Sequence, residues 1–353
     1  MKNILIYQEI IPHYRRPIFE ELGKRVNLTV FYTQNLYDSG RNFQAVKFRG
    51  IKIPKFGYLP GIDFVRATRH ADVLIAPCSS GHKYINYIKL FAPKIKLIRW
   101  GIGVRAGYNI RYDSPLGAEK LLDVVKKSDA ALFYSDYPKL KYEKMGVSRE
   151  KLFVANNTVV VNPIDEQASR EKLLFVGSLY PQKRVDLLLE AYAAAYNKSQ
   201  NIPDLIIVGD GSERKKLESQ ATTLHIMNKV AFVGQIEKEA ELVPLFSSAL
   251  ACISPDQAGL SVLKAMGYGV PFVTLKTAIT GGEIFNIKNG VNGVLLDSID
   301  ELTDVILDVE KDRNKYLTYG KNAYAFYHTN RLPSAMVDGF MQAIDYVTSL
   351  KQQ

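Results

Sequence analysis

The sequence predicts an α/β protein built from two doubly wound, Rossmann-like domains that face each other across a cleft. Apolar, strand-like runs alternate with segments whose apolar residues recur at helical spacing, which indicates parallel sheets covered by helices. This alternation stops once, in a polar stretch near residues 156–170, and then begins again. With 353 residues, 47% of them hydrophobic, the chain can bury two separate cores.

Five strand-like runs precede the polar stretch and six follow it. The first five are NILIYQ, LTVFYT, DVLIAP, IKLIRW and AALFYS, separated by amphipathic segments such as HYRRPIFEELGKRV and EKLLDVVKKS. The later six are KLLFVG, DLIIVG, KVAFVG, LACIS, PFVTL and NGVLLD. We therefore expect one domain at residues 1–165 and a second at residues 166–333.

Charge is unevenly distributed between the two halves. The chain carries a net +10, but residues 1–165 hold 27 Lys and Arg against 14 Asp and Glu, whereas residues 166–353 hold 19 against 22. A basic half is compatible with nucleic acid, an anionic membrane surface or an anionic substrate. Because the sequence has no zinc, helix-turn-helix or aromatic–basic signature, we expect no nucleic-acid partner.

Other classes are also disfavoured by the sequence. No apolar run approaches the roughly 20 residues that span a bilayer, and the start MKNILIYQEI predicts a first strand rather than a signal peptide. We therefore expect a cytoplasmic protein, at most peripheral on the inner face of the plasma membrane. Cys78 and Cys252 lie in or beside apolar runs, away from any histidine cluster, so both should be buried and reduced. No DxD pair occurs, and we expect no metal and no cofactor.

Glycines and a lysine mark the strand ends of the second half. In LLFVGSLYPQKRVDLLLEAY, Gly177 ends a strand, and Lys183 precedes a helix where its charge and free N–H groups suit a phosphate. Gly209 and Gly211 follow the next strand, and Gly234 follows the one after that. Any one of these glycines has an ordinary explanation as a tight turn, but three turns in register favour a ligand site.

The run from Leu173 to Asp297 resembles the donor-binding half of glycosyltransferase family 4, whose members have the GT-B fold. The pieces that match are FVGSLYPQKRVDLLLEAY, LIIVGDGSERKKLE, VAFVGQI, SPDQAGLSVLKAMGYGVPFVT and GGEIFNIKNGVNGVLLD. The resemblance implies retaining transfer of a sugar from a nucleoside diphosphate, with a UDP-sugar expected, to a surface glycan or lipid-linked saccharide. It also implies that the last helix, at about 334–350, crosses back to the first domain.

The resemblance implies a donor site with two departures from the family pattern. Lys183 matches the lysine at the diphosphate, but Ser178 stands in the place of the family's arginine, so Arg184 or Lys264 would have to replace it. Of the family's paired glutamates, the one near the sugar corresponds to Asp256, and the one near the ribose corresponds to Lys264. We expect Lys264 to retune nucleotide binding, the alternative being a solvated lysine without contacts. The remaining donor-binding residues that we expect are Gly177, Gly209, Gly211, Gly234, Ile236, Ala258, Gly259, Leu260 and Glu283.

The first half should hold the acceptor. His13, with Tyr14, Arg15 and Arg16, follows the first strand, where arginines would meet an anionic acceptor; a solvated helix start is the alternative. The family commonly has a catalytic-site histidine where this sequence has Ile102, so His13 and His82 are the candidates for that space. We expect Lys183, Asp256 and His13 to be catalytic, and Tyr14, Arg15, Arg16 and His82 to bind acceptor.

The segment HKYINYIKLFAPKIK, residues 82–96, combines large apolar residues with four lysines. This composition suits an interfacial segment on an anionic membrane, and it equally suits an ordinary amphipathic helix packed on a sheet. A non-catalytic GT-B protein that binds nucleotide-sugar or glycan remains the alternative function, since Ser178, Ile102 and Lys264 all depart from the family pattern.

Overall fold

Two parallel β-sheets organise the chain in a computed structural model. The structure describes residues 1–48, 50–53, 57–107, 109–115, 118–164 and 169–350. The first unit comprises Met1–Arg105, Asp113–Val159 and Leu332–Gln353, and the second comprises Ala106–Tyr112 and Val160–Arg331. The domain boundary expected between residues 165 and 166 lies outside the described residues.

The first unit has a seven-stranded sheet in the order β3-β2-β1-β6-β7-β8-β9, in which neighbouring strands run parallel. A separate antiparallel pair, β4 and β5, lies between β3 and β6 in the chain. The strands are β1 Asn3–Tyr7, β2 Asn27–Tyr32, β3 Phe43–Lys47, β4 Gly50–Ile53, β5 Gly57–Pro60, β6 Val73–Pro77, β7 Lys96–Gly101, β8 Ala130–Phe133 and β9 Leu152–Val154. The helices within this part are α1 Arg16–Gly23, α2 Ile62–His70, α3 Ile88–Phe91, α4 Ala118–Lys126 and α5 Asp136–Lys144.

Both faces of this sheet are buried. In β1, Ile4 and Ile6 point into one core, whereas Leu5 and Tyr7 point into the core on the opposite face. Successive side chains of a strand alternate between faces, so a strand covered on both sides needs an unbroken apolar run. This requirement explains why NILIYQ and the similar runs predict strands of a parallel sheet.

The second unit has a six-stranded parallel sheet in the order β12-β11-β10-β13-β15-β17, and β14 and β16 form a short parallel pair. Its strands are β10 Lys172–Val176, β11 Leu205–Val208, β12 Val230–Gly234, β13 Ala249–Ile253, β14 Gln257–Ala258, β15 Phe272–Leu275, β16 Ile279–Thr280 and β17 Gly293–Leu296. Its helices are α6 Val185–Lys198, α7 Arg214–Thr223, α8 Glu239–Ser247, α9 Ser261–Gly267, α10 Glu301–Lys311 and α11 Arg313–Asn330.

The last helix, α12 Pro333–Ser349, belongs to the first unit. Met336, Phe340 and Ile344 of α12 lie in the same core as Ile4 and Ile6 of β1. Five 3₁₀ helices complete the described secondary structure, at His13–Arg15, Lys83–Tyr87, Arg149–Lys151, Pro181–Lys183 and Glu283–Asn286. Across the ranges that the structure describes, no helix is both long and apolar enough to cross a membrane.

Candidate functional site

Three strand-end turns of the second unit are joined by backbone hydrogen bonds. Gly177 N–H donates to the carbonyl of Val208 at 3.0 Å, and Gly209 N–H donates to the carbonyl of Gly234 at 2.8 Å. Gly209 has φ +145°, and a Cβ there would clash with the Gly177 carbonyl oxygen. Only glycine allows this backbone approach. The structure thus brings together the glycines of β10, β11 and β12 that the sequence singled out, with Gly211 in the same turn, where a Cβ would clash with the Leu179 carbonyl.

Lys183 brings a buried positive charge to these turns. It ends the 3₁₀ helix Pro181–Lys183 with 7% of its surface exposed. Its ammonium lies beside Gly177, where a Cβ would stand 3.3 Å from Nζ. Burial lowers the pKa of Lys183 to about 8, and among the described residues only the Cys252 thiol opposes this shift. An amine buried without a carboxylate partner is a candidate anion-binding group.

The two cations considered as replacements for the missing arginine already have partners. Arg184 lies in the left-handed region at φ +50° and donates from Nε to both oxygens of Asp186, at 3.1 and 3.2 Å. Lys264 Nζ lies 2.5 Å from Oε2 of Glu239. Ser178 itself is exposed. Neither Arg184 nor Lys264 is therefore an unpaired cation.

Lys264 contacts a carboxylate that the sequence did not suggest. Glu239 starts α8, and its second oxygen accepts a hydrogen bond from Tyr268 at 2.6 Å. The side chains of Lys264 and Glu239 are only 22% and 28% exposed, so the pair is shielded from water on most sides. The alternative of a solvated lysine without contacts does not hold in this structure.

Asp256 is held by an arginine from a distant part of the sequence. Arg111 donates from its two terminal nitrogens to the two oxygens of Asp256, at 2.7 and 3.1 Å. Arg111 also donates to the carbonyl oxygen of Thr277. Asp256 lies just beyond β13, and its side chain is 14% exposed, whereas that of Arg111 is 53% exposed. This fork-to-fork geometry fixes the orientation of the carboxylate.

The chain after Asp256 forms the rest of the predicted donor segment. Ala258 in β14 is buried and pairs with Thr280 of β16, and Leu260 precedes α9. A Cβ at Gly259 would meet no heavy atom within 4 Å, so the space beside this residue is open. Glu283 is buried and accepts a hydrogen bond from Gly281 N–H at 2.9 Å, which closes its own turn. On the β12 side, Ile236 is half-buried, two residues beyond Gly234.

In the first unit, Arg15 is buried among aromatic side chains. Only 3% of Arg15 is exposed, and its guanidinium lies 5.0 Å from the ring centre of Trp100 and 4.8 Å from that of Tyr134. The stacking on these rings, with a contact to the Met336 sulfur at 3.4 Å, accounts for the burial of this charge. The alternative of a solvated helix start therefore does not hold for Arg15, and its acceptor-binding role stays a prediction.

The neighbours of Arg15 differ in exposure. His13 is exposed and packs edge-on against the half-buried Tyr14 at 5.7 Å between ring centres. Arg16 starts α1, donates to the carbonyl of Asp38 at 3.0 Å and lies 5.5 Å from the ring centre of Phe43. Tyr14 and His13 therefore remain accessible beyond β1, while Arg16 is tied to the loop that follows β2.

A second group of polar side chains lies at the carboxyl ends of β1, β6 and β7. His82 Nε2 lies 3.0 Å from Oε1 of Glu9, and burial lowers the pKa of His82 although Glu9 opposes the shift. Arg99 in β7 is fully buried; it donates to the Pro77 carbonyl at 3.2 Å and to the Asn86 side chain. Burial lowers the pKa of Arg99 to about 10. His82 is thus neutral at pH 7 and oriented by Glu9.

Sequence reasoning missed three functional candidates, Arg111, Glu239 and Arg99. Arg111 and Glu239 have no local signal, because their partners lie 145 and 25 residues away in the chain. Arg99 does have a local signal, because it is a charged residue inside the apolar run IKLIRW, which predicts a buried strand. Among the residues that the structure describes, no group of three or more His, Cys, Asp or Glu could hold a metal ion.

Together these features define a fold class, a protein with two parallel α/β sheets of the doubly wound type, in which ligands bind beyond the carboxyl ends of the strands. Over its length the chain is similar to Anabaena HepE solved in complex with UDP, with a TM-score of 0.75 and 18% identity, covering 98% of this chain and 100% of that one. At that identity the similarity establishes the fold alone, and it confirms the predicted GT-B fold.

Residues 161–326 match the family described as glycosyl transferases group 1. The match covers just under half of the chain, and over those residues it confirms the resemblance to glycosyltransferases that the motifs indicated. N-acetyl-alpha-D-glucosaminyl L-malate synthase of Bacillus anthracis is 27% identical over 157 residues, 44% of this chain and 40% of the relative. An uncharacterized glycosyltransferase of Methanocaldococcus jannaschii is 31% identical over 134 residues, 37% of this chain and 33% of that protein. The matched part thus spans well under half of either relative.

Proposed function

We propose that this protein is a retaining glycosyltransferase that moves a sugar from a UDP-sugar to a hydroxyl of a saccharide or lipid-linked saccharide acceptor, without a metal or cofactor. The observation that carries the proposal is Lys183, a buried ammonium beside the glycine turns with no carboxylate partner among the described residues. HepE, whose fold is similar, has been solved with UDP and with UDP-glucose, which supports the choice of donor.

The proposed chemistry places the main demand on the leaving group. When the bond between the anomeric carbon and the diphosphate oxygen breaks, negative charge develops on the departing nucleoside diphosphate. Preorganised positive charge at that point stabilises the transition state more than the ground state. Lys183 would be preorganised, because its side chain is already buried with the ammonium beside Gly177. In this scheme Lys183 binds the diphosphate and stabilises its departure.

Asp256 would act at the sugar. A carboxylate near a developing oxocarbenium ion gains interaction energy as the bond breaks, and it also orients sugar hydroxyls. The bidentate contact with Arg111 keeps Asp256 in one orientation. We expect Asp256→Asn to lower kcat by about 10-fold or more while the donor still binds.

The acceptor would bind at the strand ends of the first unit. His82 and Glu9 form a hydrogen-bonded pair at this edge, and the lowered pKa of His82 keeps its imidazole neutral near pH 7. Because Nε2–H of the neutral imidazole donates to Glu9, the ring's acceptor atom is Nδ1, which is buried in this structure. The hydroxyl of the saccharide acceptor would therefore meet the half-exposed Glu9 carboxylate, which His82 orients. His13 and Tyr14, the accessible residues after β1, would contact the remainder of the acceptor.

An anionic membrane surface would present a lipid-linked acceptor. The segment that contains the 3₁₀ helix Lys83–Tyr87 and α3 buries Ile85 and Ile88 in a core. Its other side exposes Tyr87, Leu90 and Phe91, at 59%, 75% and 49%. Three large exposed apolar residues within five positions, next to the exposed Lys94, suit the interface of an anionic bilayer.

Two experiments test the activity. A thermal-shift screen with UDP, GDP, dTDP and CMP identifies the nucleotide, because a ligand of the native state raises the unfolding temperature. Release of nucleotide from the matching sugar donors, with and without saccharide acceptors, then measures turnover in the wild type, in Lys183→Met and in the exposed-lysine control Lys198→Met. Turnover lost only in Lys183→Met supports the proposal. Binding of a nucleotide-sugar without turnover on any acceptor would favour a non-catalytic binding protein.

Membrane binding needs its own test. We expect sedimentation with phosphatidylglycerol vesicles to fall steeply between low and high salt, and to fall in the double variant Leu90→Ser, Phe91→Ser. Leu36→Ser, at an equally exposed position of the same unit, is the matched control. Equal sedimentation of the double variant and the control would remove the membrane from the proposal.

A further inference from the structure

The segment Ala106–Tyr112 belongs to the second unit, although the residues on both sides of it in the chain belong to the first. Three of its side chains, those of Asn109, Arg111 and Tyr112, contact the rest of the second unit near the proposed donor residues. Asn109 Oδ1 accepts a hydrogen bond from Gln182 Nε2, next to Lys183 in the chain. The Tyr112 ring packs edge-on against Phe285 at 5.1 Å between ring centres. Between these two anchors, Arg111 reaches Asp256 and the Thr277 carbonyl.

The positive charge of Lys183 alone is smaller than the negative charge of the nucleoside diphosphate that the proposed function requires. A nucleoside diphosphate leaves with more than one negative charge, whereas Lys183 supplies a single positive one. Arg184 is paired with Asp186 in the first turn of α6, and Lys264 is paired with Glu239 at the start of α8. Arg214, beside Gly234, is paired with both Asp210 and Glu218. Among the described residues near the donor turns, this leaves the guanidinium of Arg111, whose carboxylate partner is the proposed sugar-binding Asp256.

We propose that Arg111 is the second diphosphate-binding cation of the donor site. A guanidinium has five N–H donors in a planar fork, so it can hold a carboxylate with one edge and a phosphate with another. The Arg111 side chain is 53% exposed while it is bound to Asp256, which leaves part of that fork open to a ligand. This inference rests on the proposed function, because it assumes that the anion at Lys183 is the diphosphate of the donor.

The arrangement has a consequence that a purely structural ion pair would not have. Asp256 and the diphosphate compete for the positive charge of Arg111, so removal of the carboxylate should strengthen nucleotide binding. At the same time, removal of the arginine should weaken it. The gain in the first variant should disappear when both side chains are replaced, since it depends on Arg111.

Calorimetric titration with UDP tests this double-mutant cycle in the chain of 353 residues. We expect Arg111→Ala to weaken UDP binding about tenfold or more, since a charge-assisted contact to phosphate is lost. We expect Asp256→Asn to bind UDP about threefold more tightly than the wild type. The double variant should bind no more tightly than Arg111→Ala. Arg111→Lys keeps the charge without the fork, and should fall between the wild type and Arg111→Ala.

Arg25→Ala is the matched control, because Arg25 forms a comparable pair with Asp338 at 2.6 Å in the first unit. Its UDP affinity should equal that of the wild type. An unchanged UDP affinity in Arg111→Ala, with wild-type binding intact, would overturn the role of Arg111 and leave the proposed function standing. Failure of the wild type to bind UDP, GDP, dTDP or CMP would instead overturn the proposed function together with this inference.

Discussion

Replacement of Lys183 by Met should make the second unit more stable while it abolishes donor binding. Burial lowers the pKa of Lys183 from the ordinary 10.5 to about 8, which corresponds to a cost of about 3 kcal/mol for the charged form near neutral pH. Met keeps most of the packing volume and carries no charge. We therefore expect Lys183→Met to raise the free energy of unfolding of this unit by about 1–3 kcal/mol at pH 7.

The pH dependence of this gain follows from proton binding. Between pH 8 and 10.5 the unfolded chain binds the proton of Lys183 and the folded chain does not, so wild-type stability rises with pH in this window. The variant lacks this group, and its advantage should shrink through the window and vanish near pH 10.5. Below pH 8 both states bind the proton, and the difference should be constant.

Hydrogen exchange of peptides from β10 and β13 in increasing urea measures the stability of this unit separately from the other. The control is Lys198→Met, since the Lys198 side chain is 61% exposed and its replacement should change stability little. Saturating UDP should stabilise the wild type and not Lys183→Met. If Lys183→Met were less stable than the wild type at pH 7, the idea that the buried ammonium is held at a cost for ligand binding would be refuted.

Three further predictions concern the same unit. UDP affinity should fall as the pH rises above about 8, where the Lys183 ammonium loses its proton. The variant Lys183→Arg should bind UDP equally from pH 7 to 10, and a parallel decline in both proteins would assign the effect to another group. Gly209→Ala should lower the free energy of unfolding, measured in urea titrations, by at least about 2 kcal/mol. Gly146→Ala should cost less, because Gly146 also has a positive φ but a Cβ there would have no neighbour within 4 Å. Equal costs would show that backbone conformation alone matters. Lys264→Ala and Glu239→Gln, which break the same pair, should change the donor KM several-fold and leave kcat within about twofold in steady-state assays, whereas a lost kcat with an intact donor Kd would make Lys264 a leaving-group ligand.

Much of the fold follows from local pattern. The run KLLFVG contains β10, Lys172–Val176, and NILIYQ contains β1, Asn3–Tyr7. These strands are buried on both faces, so their apolar runs are continuous and stand out. The pair β14 and β16 has two residues in each strand, and no periodicity can reveal a strand of that length.

The site was predictable only where it is built from local turns. Gly177, Gly209 and Gly234 each follow an apolar run, so their meeting at one sheet edge follows from parallel topology. The position of Arg15 did not follow, because its burial depends on Trp100 and Tyr134 from two other strand ends. Long-range pairs such as that of Arg111 with Asp256 depend on tertiary structure, which local sequence patterns do not reveal.

Residues 106–112 belong to the second unit although they lie far from the rest of it in the sequence, which affects the design of a recombinant fragment of that unit. A recombinant fragment limited to residues 160–331 would lose one contact each of Gln182, Asp256 and Phe285, because residues 106–112 supply those three contacts. With such a fragment, residues 106–112 could be supplied as a separate peptide. A complementation assay would add a synthetic peptide of residues 106–112 to the fragment and measure whether UDP affinity is restored.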